Sequence, residues 1–162
     1  MSETRWFVLN TKPKKEAQVE RLFEQGGFEI YSPKYRDEGR VHPFFPGYAF
    51  IRFQHPEQYK TVKYTRGVKG IVGHDAGPVP IEDEVLAQIR AREVEGYIEF
   101  AKYGLAPEVG DEIEVAGGPL KGLRGIFKKE LSGQDRVLIL LQYVSYQGQL
   151  LIEREKLKKV TS

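Results

Sequence analysis

A chain of 162 residues with 40% hydrophobic and 30% charged side chains has the makeup of a globular protein of one or two domains, long enough to bury a core. Its 25 Lys and Arg nearly balance 23 Asp and Glu, giving a net charge of +2, so a uniformly basic nucleic-acid binder is excluded and any such contact has to come from local clusters. The absence of cysteine excludes disulfides, thiolate nucleophiles and cysteine metal sites, and no apolar run approaches the ~20 residues of a membrane span.

The start, Met1 to Trp6, is too polar for a signal peptide, and a cytoplasmic location is expected. Trp6-Phe7-Val8-Leu9 reads as a strand, and Thr11 and Pro13 then suit a helix start. From Lys14 to Gln25, Val19, Leu22 and Phe23 recur at helical spacing until Gly26-Gly27 stop the helix. Lys12, Lys14 and Lys15 crowd its positive end, where cations oppose the helix dipole; either an anion or plain solvation accounts for them. Phe28 to Tyr31 and Arg40 to His42 are predicted as two strands of a hairpin turning around Asp37-Glu38-Gly39.

Phe44-Phe45-Pro46-Gly47-Tyr48-Ala49-Phe50 puts four aromatic rings onto a bend and the strand leaving it. Alternation places Tyr48, Phe50 and Arg52 on one face and Ala49, Ile51 and Phe53 on the other. Two apolar faces fit a strand covered on both sides, or one whose second face is kept for a partner. A helix is expected from Gln54 to Tyr64, ending at Arg66-Gly67, then a short strand from Gly70 to Gly73. A third helix is expected from Glu82 to about Glu95, with Val85, Leu86, Ile89 and Val94 on its apolar face and Ile81 stapled onto Leu86. Strand, helix, strand, strand, helix, strand is the order of a ferredoxin-like α/β sandwich.

Past residue 101 the texture changes to short strands separated by glycines. The division expected is therefore α+β, with an N-terminal domain over 1–101, a linker over 102–108 and a small C-terminal domain over 109–162. Gly118, Pro119, Gly122 and Gly125 describe a turn between barrel strands, with further strands at Arg136 to Val144, Leu150 to Glu153 and Lys156 to Val160. On the first of these, Val137, Ile139, Leu141 and Tyr143 would fill a barrel and Leu138, Leu140 and Val144 would point outward as a partner patch. Val137, Leu140, Leu141 and Val144 also satisfy helical spacing, so period alone does not choose between strand and helix.

Taken together, Trp6-Phe7-Val8, Phe45-Pro46-Gly47-Tyr48, Thr65-Arg66-Gly67-Val68, Pro80-Ile81, Val109-Gly110-Asp111 and Gly118-Pro119-Leu120-Lys121-Gly122-Leu123-Arg124-Gly125 resemble the NusG family of transcription elongation factors, across nearly the whole chain. The resemblance implies an NGN domain joined to an SH3-like KOW barrel, and a monomeric, non-enzymatic factor without metal or cofactor. It implies docking on the β′ clamp helices of RNA polymerase through Phe44, Phe45, Tyr48 and Phe50. It implies contact of Lys12, Lys14, Lys15, Lys63, Tyr64 and Arg66 with upstream or non-template DNA. Leu138, Leu140 and Val144 would meet a ribosomal protein of the NusE type, or Rho in the housekeeping branch. The short segment from Tyr31 to Phe44 and the apolar run from Arg136 resemble the operon-specific RfaH-type paralogues, some of which fold the KOW segment as a helical hairpin over the polymerase-binding patch. KOW turns also occur in ribosomal proteins, and the aromatic cluster at 44–50 separates an elongation factor from such an RNA-binding module. His42, His55 and His74 lack metal-ligand spacing, and the serines lack a nucleophile-elbow setting.

Overall fold

In the computed structural model, which describes residues 3–74, 77–100 and 124–161, the Trp6 to Leu9 run lies inside a nine-residue central strand, β1 (Glu3–Thr11). It is followed by α1 (Glu16–Gln25), β2 (Glu29–Tyr31), β3 (Lys34–Asp37), β4 (Arg40–Pro43), β5 (Tyr48–His55), α2 (Tyr59–Lys63) and β6 (Val68–Ile71). The main sheet runs β2-β5-β1-β6, every neighbour antiparallel. β5 separates β1 from β2, and β1 separates β5 from β6, so the α/β part is two interlocked split βαβ units, the ferredoxin-like arrangement expected. Beyond β6 come β7 (Gly73–His74), β8 (Gly77–Pro78) and β9 (Pro80–Ile81), the last pairing with Trp6 and Phe7 on the same edge of β1 as β6. α3 (Asp83–Ala91) and the small hairpin β10 (Glu93–Val94) and β11 (Tyr97–Ile98) complete this part.

Strand alternation sends Phe7, Leu9, Ile51 and Phe53 to one face, where Val19, Phe23 and Val62 of α1 and α2 cover them. Trp6, Val8 and Phe50 go to the other face, against Val85, Leu86 and Ile89 of α3. Ile81 and Leu86 lie in this second cluster.

Several elements differ from the sequence expectation. Leu22 is 36% exposed, because the buried stripe of α1 narrows to Val19 and Phe23. The hairpin pairs β3 with β4 rather than Phe28–Tyr31 with Arg40–His42; Glu38 and Gly39 both take positive φ, as the two-residue turn requires, and β2 joins the main sheet instead. α2 is short, and α3 stops at Ala91, leaving Val94 in a hairpin.

The largest difference is at the C-terminal end. A single helix, α4 (Gly133–Thr161), stands where strands were expected at Arg136–Val144, Leu150–Glu153 and Lys156–Val160, so the barrel strands are not seen there; the segment is helical, as one continuous helix over these residues rather than the two arms of the helical hairpin that was the alternative. Its start is fixed locally: the Ser132 amide donates to the Asp135 carboxylate at 3.3 Å and the Asp135 amide to Ser132 Oγ at 3.1 Å, a reciprocal capping box. Over its residues 133–149, Arg136, Leu140, Tyr143, Val144 and Gly148 are buried, a stripe of period near 3.6. That stripe packs on the second face of the sheet, and tertiary burial overrides the strand preference of Val137, Ile139 and Val144. The expected linker, the Val109-Gly110-Asp111 segment and the turn residues 117–123 lie outside the described residues.

Candidate functional site

The aromatic bend is tied down at three backbone points. The Phe44 amide donates to the Pro33 carbonyl at 2.8 Å, the Tyr48 amide to the Phe45 carbonyl at 3.0 Å, and the Thr11 amide to the Gly47 carbonyl at 2.8 Å. Gly47 holds φ +80°, which a Cβ-bearing residue adopts only under strain. The rings of Phe44 and Phe45 meet edge to face at 4.9 Å, and those of Phe45 and Phe50 at 5.8 Å. Phe44, Phe45 and Phe50 are fully buried and Tyr48 is half-buried beside them.

What buries this surface comes from the far end of the chain. A 3-10 turn at Arg124–Phe127 lays the Phe127 ring on Phe44 at 5.8 Å, and α4 adds Leu140, Tyr143 and Val144 to the same cluster. Burying each such side chain stabilises by roughly 1.5–3 kcal/mol relative to exposure. Gly133 sits against Pro46 so closely that an added Cβ would lie 2.6 Å from the ring Cγ.

Arg136 anchors the contact. Its side chain is 1% exposed, yet no carboxylate stands within ion-pair distance of it among the described residues. Nε donates to the Phe44 carbonyl at 2.9 Å and one terminal nitrogen donates to the Leu131 carbonyl at 2.7 Å. The guanidinium carbon lies 4.7 Å from the Phe44 ring centre, 5.1 Å from Tyr35 and 5.4 Å from Phe100. Two carbonyls and three ring faces replace the missing counter-charge. His42 stacks on Tyr35 at 5.2 Å. Lower on the helix, the Tyr143 hydroxyl is buried without a hydrogen-bond partner, and its pKa is pushed up to about 12, by burial first and then by the carboxylates of Glu82 and Glu84. Across the cluster, Tyr31 donates to Glu93; burial, that bond and the Glu93 charge raise its pKa, against a smaller opposing effect of Arg90, whose guanidinium lies over the Tyr31 ring.

One backbone bond joins the two segments that carry Lys12, Lys14, Lys15 and Arg66. The Lys12 amide donates to the Gly67 carbonyl at 2.8 Å, which fastens the loop carrying Lys12, Lys14 and Lys15 to the turn carrying Arg66. All four are exposed, and none has an ion-pair partner among the described residues. Lys63 lies over the Tyr64 ring at 5.7 Å, and Tyr64 is 74% exposed. Thr11 and Lys12, consecutive in β1 and its exit, therefore hold the aromatic bend with one amide and the basic turn with the next. A cavity of about 260 Å3 between α1 and the β3–β4 hairpin is lined by Lys14 on one side and Tyr48 on the other.

The expected C-terminal patch is not assembled. Leu138 is 57% exposed, whereas Leu140 and Val144 are 1% and 2% exposed against the N-terminal part, because a helix separates residues that a strand would have aligned. Arg136, Tyr35, Phe100 and Tyr143 carry roles that alternation on strands did not bring out. The signal was present in Ser132-Gly133-Gln134-Asp135, a capping-box pattern ahead of an apolar run.

No helix among the described residues is long and apolar enough to cross a membrane. A family model described as transcription termination factor nusG matches residues 4–90. The transcription termination/antitermination protein NusG of Thermus thermophilus is 28% identical over 145 residues, covering 74% of this chain and 79% of its own. A solved structure of Thermotoga maritima NusG, described as showing domain interaction, aligns at a TM-score of 0.45 with 23% identity, over 65% of this chain and 69% of that one. With more than half of its length matched by the family model, this chain belongs to the NusG family of transcription termination and antitermination factors.

Proposed function

We propose that this chain is a transcription elongation and antitermination factor of the specialised RfaH type, whose polymerase-docking surface is held closed by its own C-terminal helix until a signal in the transcription complex releases it. The observation that carries this reading is the placement of Arg136, Leu140, Tyr143 and Val144 over Phe44, Phe45 and Phe50. Aromatic anchors of this kind dominate protein interfaces when exposed and lower solubility when left open, so a removable cover serves both ends. In the released state Phe44, Phe45, Tyr48 and Phe50 dock on the clamp helices of the polymerase β′ subunit. The loop Lys12–Lys15, Lys63, Tyr64 and Arg66 then face upstream or non-template DNA, with phosphate contacts from the cations and base stacking on Tyr64. Once freed, the C-terminal segment recruits a further partner, a ribosomal protein of the NusE type.

A housekeeping factor that couples to Rho and the ribosome is the second reading, favoured by the similarity to the Thermus thermophilus protein. Capture of RNA polymerase by the full chain and by a Leu140→Asp, Val144→Asp variant separates the two. A closed factor binds weakly until the variant opens it. Equal binding by both proteins, with α4 undocked only in the variant, would sink the closed-surface reading. Loss of the enhanced binding on adding Tyr48→Ala and Phe50→Ala tests the anchor assignment in the same assay.

A further inference from the structure

We infer that Tyr35, Phe44 and Phe100, with the Phe44 carbonyl, form an arginine-selective socket that Arg136 fills in the closed state and that an arginine on a helix of the polymerase fills in the open one. The second half rests on the reading proposed above; the first does not. Three ring faces lie within 5.4 Å of the guanidinium carbon, on the main-chain side bounded by a carbonyl that accepts from Nε. The three rings and the Phe44 carbonyl belong to the N-terminal part and stay when α4 leaves; only the Leu131 carbonyl departs with it.

Chemistry selects arginine over lysine here. A guanidinium is planar, weakly hydrated and able to stack while its edge nitrogens donate sideways, which matches rings above carbonyls. An ammonium is a strongly hydrated point charge that wants three acceptors, and the pocket has one fixed carbonyl on the N-terminal part. The lack of a carboxylate matters too. A socket that neutralises its guest with ring faces can be emptied without leaving an unpaired negative charge buried, whereas breaking a buried ion pair strands one partner. Such a socket suits exchange between two occupants better than an ion pair does.

The occupant that α4 presents defines the pattern a competitor has to match: an arginine followed on one helical face by apolar residues four, seven and eight positions later, as in Arg136, Leu140, Tyr143 and Val144. A cationic amphipathic helix of the polymerase with that spacing can take over the apolar surface and the socket together.

The test uses the full chain carrying Arg136→Ala, titrated with N-ethylguanidinium and, separately, with ethylammonium, while ring signals of Tyr35, Phe44 and Phe100 are followed by NMR. Saturable shifts with N-ethylguanidinium, at least about tenfold stronger than with ethylammonium, are expected from the contribution of stacked cation–ring contacts. Equal responses to the two cations, or none in a chain that keeps its sheet signals, overturn the socket. Should Arg136→Ala lose those sheet signals, Arg136→Lys reports without added ligand: ring signals displaced from the wild-type positions support selectivity, and unchanged ones overturn it. Polymerase capture then compares Arg136→Ala with an Arg136→Ala, Phe100→Leu double variant, in which an apolar side chain remains and a ring face is gone. Binding by the double variant about three- to tenfold weaker supports occupation by the polymerase. Equal binding overturns that half. If Arg136→Ala captures no more polymerase than wild type, the closed-surface reading fails, and the titration still decides the socket.

Discussion

The Nε of Arg136 donates to the carbonyl of Phe44 at 2.9 Å across 92 residues of sequence, making one main-chain oxygen of the aromatic bend the acceptor for a buried cation on the covering helix. Lysine at 136 keeps the charge but cannot reach the Phe44 and Leu131 carbonyls in two directions while stacking on three rings. Arg136→Lys should weaken the docking of α4 by about 1–3 kcal/mol. Hydrogen exchange of amides from Leu140 to Gln147 measures this, and rates equal to wild type would contradict it.

Gly133→Ala sets two effects against each other. Alanine favours helix by up to ~1 kcal/mol over glycine, yet its Cβ would meet the Pro46 ring at 2.6 Å and 2.8 Å, and a proline ring cannot swing away. Overpacking of this kind costs about 1–3 kcal/mol, so the cover should loosen while helix content holds. Circular dichroism reads the second quantity and exchange at Tyr48 and Ala49 the first.

Tyr143 gives the cover an alkaline limit. Its hydroxyl titrates near 10 when free and is pushed up to about 12 by burial, so the docked helix holds the proton that an undocked one gives up. Docking is therefore fully supported below pH 10 and weakens as pH rises toward 12. Tyr143→Phe should abolish this dependence and, by removing a buried hydroxyl without a partner, strengthen docking by about 1 kcal/mol. A fluorescence or exchange titration between pH 9 and pH 11 is the measurement, and a slope retained in the Phe variant would refute the assignment.

Gly67 holds φ +94°, and an added Cβ would stand 2.7 Å from Val19 Cγ2. Gly67→Ala should cost about 2–4 kcal/mol, combining backbone strain with overpacking, and lower the thermal midpoint of the domain. It should also loosen the Lys12 amide from the Gly67 carbonyl and so uncouple the basic loop from Arg66.

If the loop contacts phosphates, replacing Lys12, Lys14 and Lys15 by alanine should lower the salt slope for single-stranded DNA by about 0.7 per lost contact. Anisotropy titrations at several salt concentrations supply the slope. An unchanged slope would leave the loop as a solvated face.

The α/β part was legible because its strands are short apolar runs bounded by proline and glycine, and its helices carry period and stops in the open. Pairing partners were not: Phe28–Tyr31 and Lys34–Asp37 are both plausible mates for the strand at Arg40, and the sheet edge offered by β5 decides between them. The C-terminal misreading has a different cause. Val137 to Val144 suits either period, and what selects the helix is the apolar face around Phe44, Phe50 and Ile81, over 50 residues away in sequence. Lys12 and Arg66 could be named as exposed cations, but only the Thr11–Val68 pairing brings them side by side.

On the reading proposed above, α4 and the surface it covers belong to one chain, so the cover acts as an intramolecular competitor. Its effective concentration is set within the chain itself and does not fall on dilution. Any external helix therefore sees an affinity reduced by the open fraction alone, and a cover worth ~3 kcal/mol would reduce it by roughly a hundredfold whatever the protein concentration in the cell.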